Sequence, residues 1–299
     1  MKTQLKLAVL ALVSAFILQP SSLPAQGSLT PPGPPAPTMK TLTQVEPRTA
    51  ITNLPYTIGN SGSYYLTGPH SSTNSGITVA ANDVTLDLMG FTITGPSATN
   101  WPGVFVAGGT DVMLRNIVVK NGGISQFGVG VLVENAQSGC LRQLVVHQNT
   151  AEGVLIKNKN PGSCSDFTVE DSIVTDNGGA GISILGDSSG GNNRSHTLRN
   201  NKVSGNLEYG VYLMRASGCL VEGNHIGPQV PDASTNAFAV WSGSGRNLVV
   251  RNFEYGNFVG SLASYFFISG SDTHGPTVDV TGSLASTNKE AHPWANFSR

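Results

Sequence analysis

The chain has 299 residues, a formal charge of −1 and only 12% charged side chains. A balance so near zero excludes the basic stripe that nucleic acid requires and the cationic face that anionic membranes capture. The length supplies one sizeable core, and 36 glycines imply a backbone that bends often.

Residues 1–27 read as a secretory signal peptide. Lys2 and Lys6 precede an apolar run from Leu7 to Leu18, too short to span a bilayer, and small residues around Ala25 and Gly27 offer a cleavage site. No later segment is apolar enough to cross a membrane. Residues 28–40 form a proline-rich linker, extended because proline fixes φ and removes a donor. Residues 41–75, with Tyr56, Tyr64 and Tyr65, read as an N-terminal cap.

A repeat fills residues 76–257. Glycine followed by alternating apolar residues recurs at Gly76, Gly103, Gly130, Gly153, Gly181 and Gly210, with a degenerate copy at Ala237, every 23 to 29 residues. A second short apolar stretch and a polar corner follow each copy, as in Phe167-Thr168-Val169. Two or three strands per period describe an all-β, single-stranded, right-handed parallel β-helix of about seven coils, closed by N- and C-terminal caps. A leucine-rich repeat would need a Leu/Asn consensus that is absent, and a propeller blade would need four strands. Asn121, Asn149, Asn177 and Asn206, 28 or 29 residues apart, predict an amide ladder at one corner. Residues 258–299 break the repeat and read as a C-terminal cap or tail, with Trp294 and Phe297 docked on the last coil.

Just before the polar corners stand Asp87, Arg115, Arg142, Glu170, Arg199, Glu222 and Arg251, at repeat spacing. Stacked coils would align them in one stripe. Such a stripe is either a ladder of surface ion pairs, each worth roughly 0–1 kcal/mol, or a groove for a linear charged polymer, since the planar fork of arginine suits carboxylate and sulfate. Asp166, Glu170, Asp171 and Asp176 also cluster in sequence. No cofactor is expected; were Ca²⁺ to bind, Asp166 and Asp171 are its candidate ligands, though corners collect aspartate for conformational reasons. His147, His196 and His225 form no metal motif and read as solvated or corner histidines. Cys140, Cys164 and Cys219 fit no zinc or redox pattern and read as small packing groups, with a Cys140–Cys164 disulfide as the alternative.

The Gly-Val/Ile-x-Val strand with its Arg/Glu-Asn/Asp corner, the opening Gly62-Ser63-Tyr64-Tyr65-Leu66 and the run from Val84 to Ile93 resemble the right-handed parallel β-helix repeat of exported bacterial proteins. That superfamily includes pectate lyases, polygalacturonases and alginate C5-epimerases. The resemblance implies the fold over about residues 55–260. It assigns no chemistry, because the polygalacturonase Asp-Asp and Arg-Ile-Lys are missing and Asp272-Thr273-His274-Gly275 only partly matches the epimerase Asp-Pro-His-Asp. A lyase-like activity is the enzyme least excluded, with Arg142 and Arg199 against a uronate and Glu170 and Asp171 nearby. Two functions therefore stand: an exported carbohydrate-binding or cell-surface module, or a lyase, hydrolase or epimerase of an acidic glycan. The expected partner is a polysaccharide or surface glycan, with no nucleic acid and no membrane span. The expected location is outside the cell or in the periplasm.

Overall fold

A computed structural model describes residues 46–97, 100–109, 112–159, 162–186, 193–230, 239–243 and 245–256, with short segments between 258 and 298. The signal peptide, the linker, Trp294 and the side chain of Phe297 lie outside the described residues. The chain divides into Met1–Glu46 and Pro47–Arg299, and the second unit carries the coil.

The alternation Val-x-Val after each repeated glycine places every second side chain on one face of a strand. Val104 and Val106, Val131 and Val133, Ile182 and Ile184, and Val211 and Leu213 point inward and are fully buried. One such strand cannot cover its own apolar face, so each stacks on the next. Strands from Tyr56–Ile58 through Phe266–Ile268 form a nine-stranded parallel sheet, and the seven repeats are its seven middle strands, six turns apart from first to last. Register is residue for residue: Val131 lies between Val104 and Val154, and Ile182 between Val154 and Val211. Within the stretch 41–75, Tyr56–Ile58 and Gly62–Leu66 pair parallel with the strands of the first repeat.

The rest of each coil belongs to a second parallel sheet of 20 strands with two faces. One face contributes Leu86, Val119, Leu141, Val169, Leu198 and Val221 to the core, the other Ile93, Ile124, Val146, Val174, Val203 and Ile226. Each of these side chains contributes about 1.5–3 kcal/mol when fully buried. Among the described residues there is no helix.

The corners are columns of left-handed residues. Asn121, Gln143, Asp171, Asn200, Gly223 and Arg251 turn the chain between the two faces with φ from +50° to +65°. Asp83, Asn116, Ser138, Asp166, Ser195, Gly218 and Arg246 make a second column, and Gln126, Gln148, Asp176 and Gly205 a third. Asn, Asp and Gly dominate because they tolerate this region at low cost.

Two amide ladders lie inside the corners. Asn149 Nδ2 donates to Asn177 Oδ1 at 2.9 Å, Asn177 to Asn206 at 2.9 Å, and Asn206 to Gln229 at 3.0 Å. Asn201, Asn224, Asn252 and Asn296 form the other, with links of 2.9 to 3.2 Å. Asn121 is not in the first ladder as expected: it occupies an outer corner at φ +60° and donates to Asp87 at 3.2 Å.

Candidate functional site

Strand register fixes the charged column. Tyr65, Asp87, Lys120, Arg142, Glu170, Arg199 and Glu222 follow one another on adjacent rungs of one outward face. At about 4.8 Å per rung the charged part from Asp87 to Glu222 is about 24 Å long. Two sequence assignments need correction. Arg115 is not in the column; it lies opposite Gln137, and Lys120 stands between Asp87 and Arg142 instead. The strand Leu114–Ser125 carries two left-handed asparagines, Asn116 and Asn121, and only the residue before Asn121 belongs to this face. Arg251 sits one position further, in the corner column after Val250, and its guanidinium reaches back to Glu222.

The acids of the column hold cations. Glu170 Oε2 accepts from Arg199 Nε at 2.7 Å and lies 2.5 Å from Nη2. That carboxylate raises the proton affinity of the Arg199 guanidinium, through the hydrogen bond first and its charge second. Lys120 Nζ is 3.3 Å and Arg48 Nη1 3.8 Å from Asp87 Oδ2. Arg48 also covers the Tyr65 ring, 4.7 Å from its centroid, and so closes the N-terminal end of the column. Arg142 is exposed, and among the described residues it makes no ion pair. With Arg48 and Arg251 the array has five cations and three acids. At its C-terminal end Arg199, Asn200, Glu222, Gly223 and Arg251 line an open groove of about 390 Å³.

The carboxylates that cluster in sequence separate in space. Asp166, Asp171 and Asp176 each occupy a different corner column, and Glu170 faces outward with the charged column. Five residue steps along the strand, roughly 16 Å at 3.3 Å per residue, separate Asp166 from Asp171, too far to share one cation. Among the described residues no three His, Cys, Asp or Glu side chains converge as a metal group.

His196 is not solvated. It is fully buried, its Nδ1 accepts the Phe167 N–H at 3.3 Å, and burial pushes its proton affinity down to about 4. The three cysteines are free. Cys164 and Cys219 pack in the core, where burial pushes their thiols up to about 12 and about 11. Cys140 is half-buried on the outer face, its Sγ 3.6 Å from Glu170 Oε1; burial and then that carboxylate push its thiol up to about 11.

Side chains stacked rung on rung around a continuous core define a right-handed parallel β-helix protein. The family described as "right handed beta helix region" matches residues 69–226 and 102–271, and the chain belongs to that family. ORF18 of Geobacillus virus E2 is similar in structure, with a TM-score of 0.56 at 16% identity over 73% of this chain and 49% of that one. The enzymatically active domain of tailspike protein 2 of bacteriophage CBA120 gives a TM-score of 0.50 at 14% identity, over 78% of this chain and 43% of that one. This chain thus spans about half the length of these relatives or less, and a likeness at such identity describes the coil rather than a reaction. No curated protein matches the chain significantly. Among the described residues no helix is long and apolar enough to cross a membrane.

Proposed function

We propose that the chain is an exported carbohydrate-binding β-helix module whose charged column holds a linear acidic glycan. The observation that carries this reading is the use of the acids in the column. Asp87, Glu170 and Glu222 each face a cation, which orients the array and leaves it a surplus of positive charge. A guanidinium anchored by a carboxylate keeps donors for a second anion, because its fork carries five N–H groups. Arg142 projects from the middle of the column, free to meet a uronate or sulfate. The rungs set Lys120, Arg142 and Arg199 at multiples of about 4.8 Å along one face, so a stretched polyanion can meet several cations in line. The signal-peptide pattern of residues 1–27 and the linker at 28–40 support action outside the cytoplasm.

The test is retention of the purified chain on polygalacturonate, alginate and hyaluronan in affinity electrophoresis. Absorbance of unsaturated uronates and reducing ends are followed in the same samples. Binding to at least one polyanion without turnover is expected. Turnover would convert the module into a lyase or hydrolase acting along the same column. Absence of retention on every polyanion would overturn the reading.

A further inference from the structure

A second outward face lies around the corner from the charged column. Its successive rungs carry Val145, Ile173, Lys202, His225 and Phe253 in register. Val145 and Ile173 are exposed apolar side chains. Beyond Lys202 the face becomes aromatic. The rings of His225 and Phe253 are 4.9 Å apart, those of His225 and Tyr255 5.1 Å, and those of Phe253 and Tyr255 6.0 Å, with mutual tilts of 31° to 35°. Together with Gly256 they line an open cleft of about 460 Å³.

Two glycines permit this arrangement. A Cβ on Gly227 would come within 2.9 Å of Tyr255 Oη and of Ser204 Cβ, so only a residue without a side chain lets the tyrosine ring lie across that strand. Gly256 turns the chain at φ +74° beside Pro228, immediately after the tyrosine. The column inside this face is already filled by Val203 and Ile226. The outer rings therefore do not serve the core, and an accessible aromatic cluster of this kind marks a binding surface.

Charge selects the occupant. Lys202 is the rung neighbour of His225 and is exposed. Burial, and then the Lys202 ammonium, lower the proton affinity of His225 and so disfavour its charged form. The cleft thus combines neutral rings with one cation at its edge. A cationic guest would be repelled by Lys202, whereas a ring bearing a carboxylate satisfies both parts. We propose that this cleft is a second subsite, taking one uronate ring against His225, Phe253 and Tyr255 with its carboxylate toward Lys202. The assignment rests on the acidic-glycan reading above and adds a site that the charged column does not contain. Only left-handed Asn200 and buried Asn201 separate Arg199 from Lys202, so a glycan leaving the column meets the cleft by turning one corner.

The test uses the full chain with trigalacturonate and, as the uncharged control, galactotriose. Titration is followed through the His225 ring resonances, assigned with His225→Gln, and by calorimetry. Trigalacturonate is expected to move the His225 resonances. Phe253→Ala should weaken that binding about tenfold. Lys202→Gln, at an exposed position that does not threaten the fold, should abolish the preference for trigalacturonate over galactotriose. Arg115→Ala, at a position outside both the column and the cleft, should leave the His225 response unchanged. Unmoved His225 resonances at millimolar trigalacturonate, or an unaltered preference in Lys202→Gln, overturn the subsite. If polymer retention persists in that case, only the subsite has failed. If polymer retention is absent while trigalacturonate still moves His225, the column reading fails and the subsite stands.

Discussion

Gly181 and Asn206 share one inner corner of the coil: a Cβ on Gly181 would lie 2.8 Å from Asn206 Nδ2. The same relation joins Gly153 to Asn177 at 2.8 Å and Gly130 to Asn149 at 2.9 Å. In these three coils the glycine that opens the repeat and the asparagine of the ladder are therefore two parts of one corner, a strand start kept bare so that a buried amide can pass behind it. Gly181→Ala would also drive its methyl group to 2.4 Å from Val203 Cγ1 and 2.8 Å from the Gly210 carbonyl oxygen. Overpacking of this kind costs about 1–3 kcal/mol, and close contacts with two buried side chains and one backbone carbonyl put this site at the upper end. Denaturant unfolding should show a loss of about 3 kcal/mol for Gly181→Ala. Gly59→Ala, where nothing lies within 4 Å of the new methyl group, should stay within about 0.5 kcal/mol of the parent.

The ladder and the outer corner make different demands on the same residue type. Asn177 Oδ1 accepts from Asn149 N at 3.1 Å and Asn149 Nδ2 at 2.9 Å, all three groups buried. Removing the amide leaves two buried donors without an acceptor, at about 1–3 kcal/mol each. Asn121 is exposed, and its main duty is its left-handed φ, which glycine adopts without penalty. Asn177→Gly is expected to lose about 3 kcal/mol and Asn121→Gly to change little. Equal losses in the two variants would show that the amide column contributes no stability of its own.

These two positions also explain what the sequence could reveal. Period, strand polarity and the inward Val and Ile columns follow directly from alternation and spacing, so the coil is legible from Gly76 to Val240. Corner identity is less so, because a left-handed outer asparagine and a buried ladder asparagine are the same letter at similar spacing. Asn121 and Asn177 look alike until register separates them. The same ambiguity moved Arg115 into a column that Lys120 occupies. The second ladder, Asn201 to Asn296, has steps of 23, 28 and 44 residues, and its first member is the same letter as the left-handed corner residue Asn200 beside it, so sequence alone does not tell them apart. His196 betrayed nothing of its burial, since its neighbour in sequence, Ser195, is an outer corner residue. The aromatic cleft also stayed hidden, because His225 and Phe253 are rung partners 28 residues apart and neither belongs to a motif.

Buried His196 should give the fold an acid limb. Its folded pKa, about 4, lies below the ordinary histidine value of about 6.5, so between these two values the unfolded chain binds a proton that the folded chain refuses. Stability is then full above pH 6.5 and falls as pH drops toward 4, by about 1.4 kcal/mol per unit of difference, or roughly 3 kcal/mol in all. Asparagine can replace the imidazole acceptor, because Asn247 Oδ1 already accepts the Cys219 N–H at 2.9 Å in the same interior position two rungs along. Urea midpoints measured from pH 7.5 to 4 should slope in the parent and flatten in His196→Asn. Parallel slopes would mean that other groups carry the acid sensitivity.

Arg142 and Arg115 stand at equivalent-looking points of the sequence, yet only Arg142 projects from the charged column, and this separates specific from general electrostatics. Replacing either with alanine changes the net charge of the chain by the same amount, so a diffuse attraction would weaken equally in both. A column that contacts the polymer directly loses a charge-assisted hydrogen bond in Arg142→Ala, worth about 1.5–3 kcal/mol, and at 1.4 kcal/mol per decade that is roughly a tenfold loss of affinity or more. Arg115→Ala should reduce binding to polygalacturonate far less. The difference should narrow only partly with salt: the Debye length shrinks from about 30 Å at 0.01 M to 3 Å at 1 M, which removes long-range attraction but leaves a contact at hydrogen-bond distance. Identical affinities for the two variants at every salt concentration would place the glycan elsewhere on the coil.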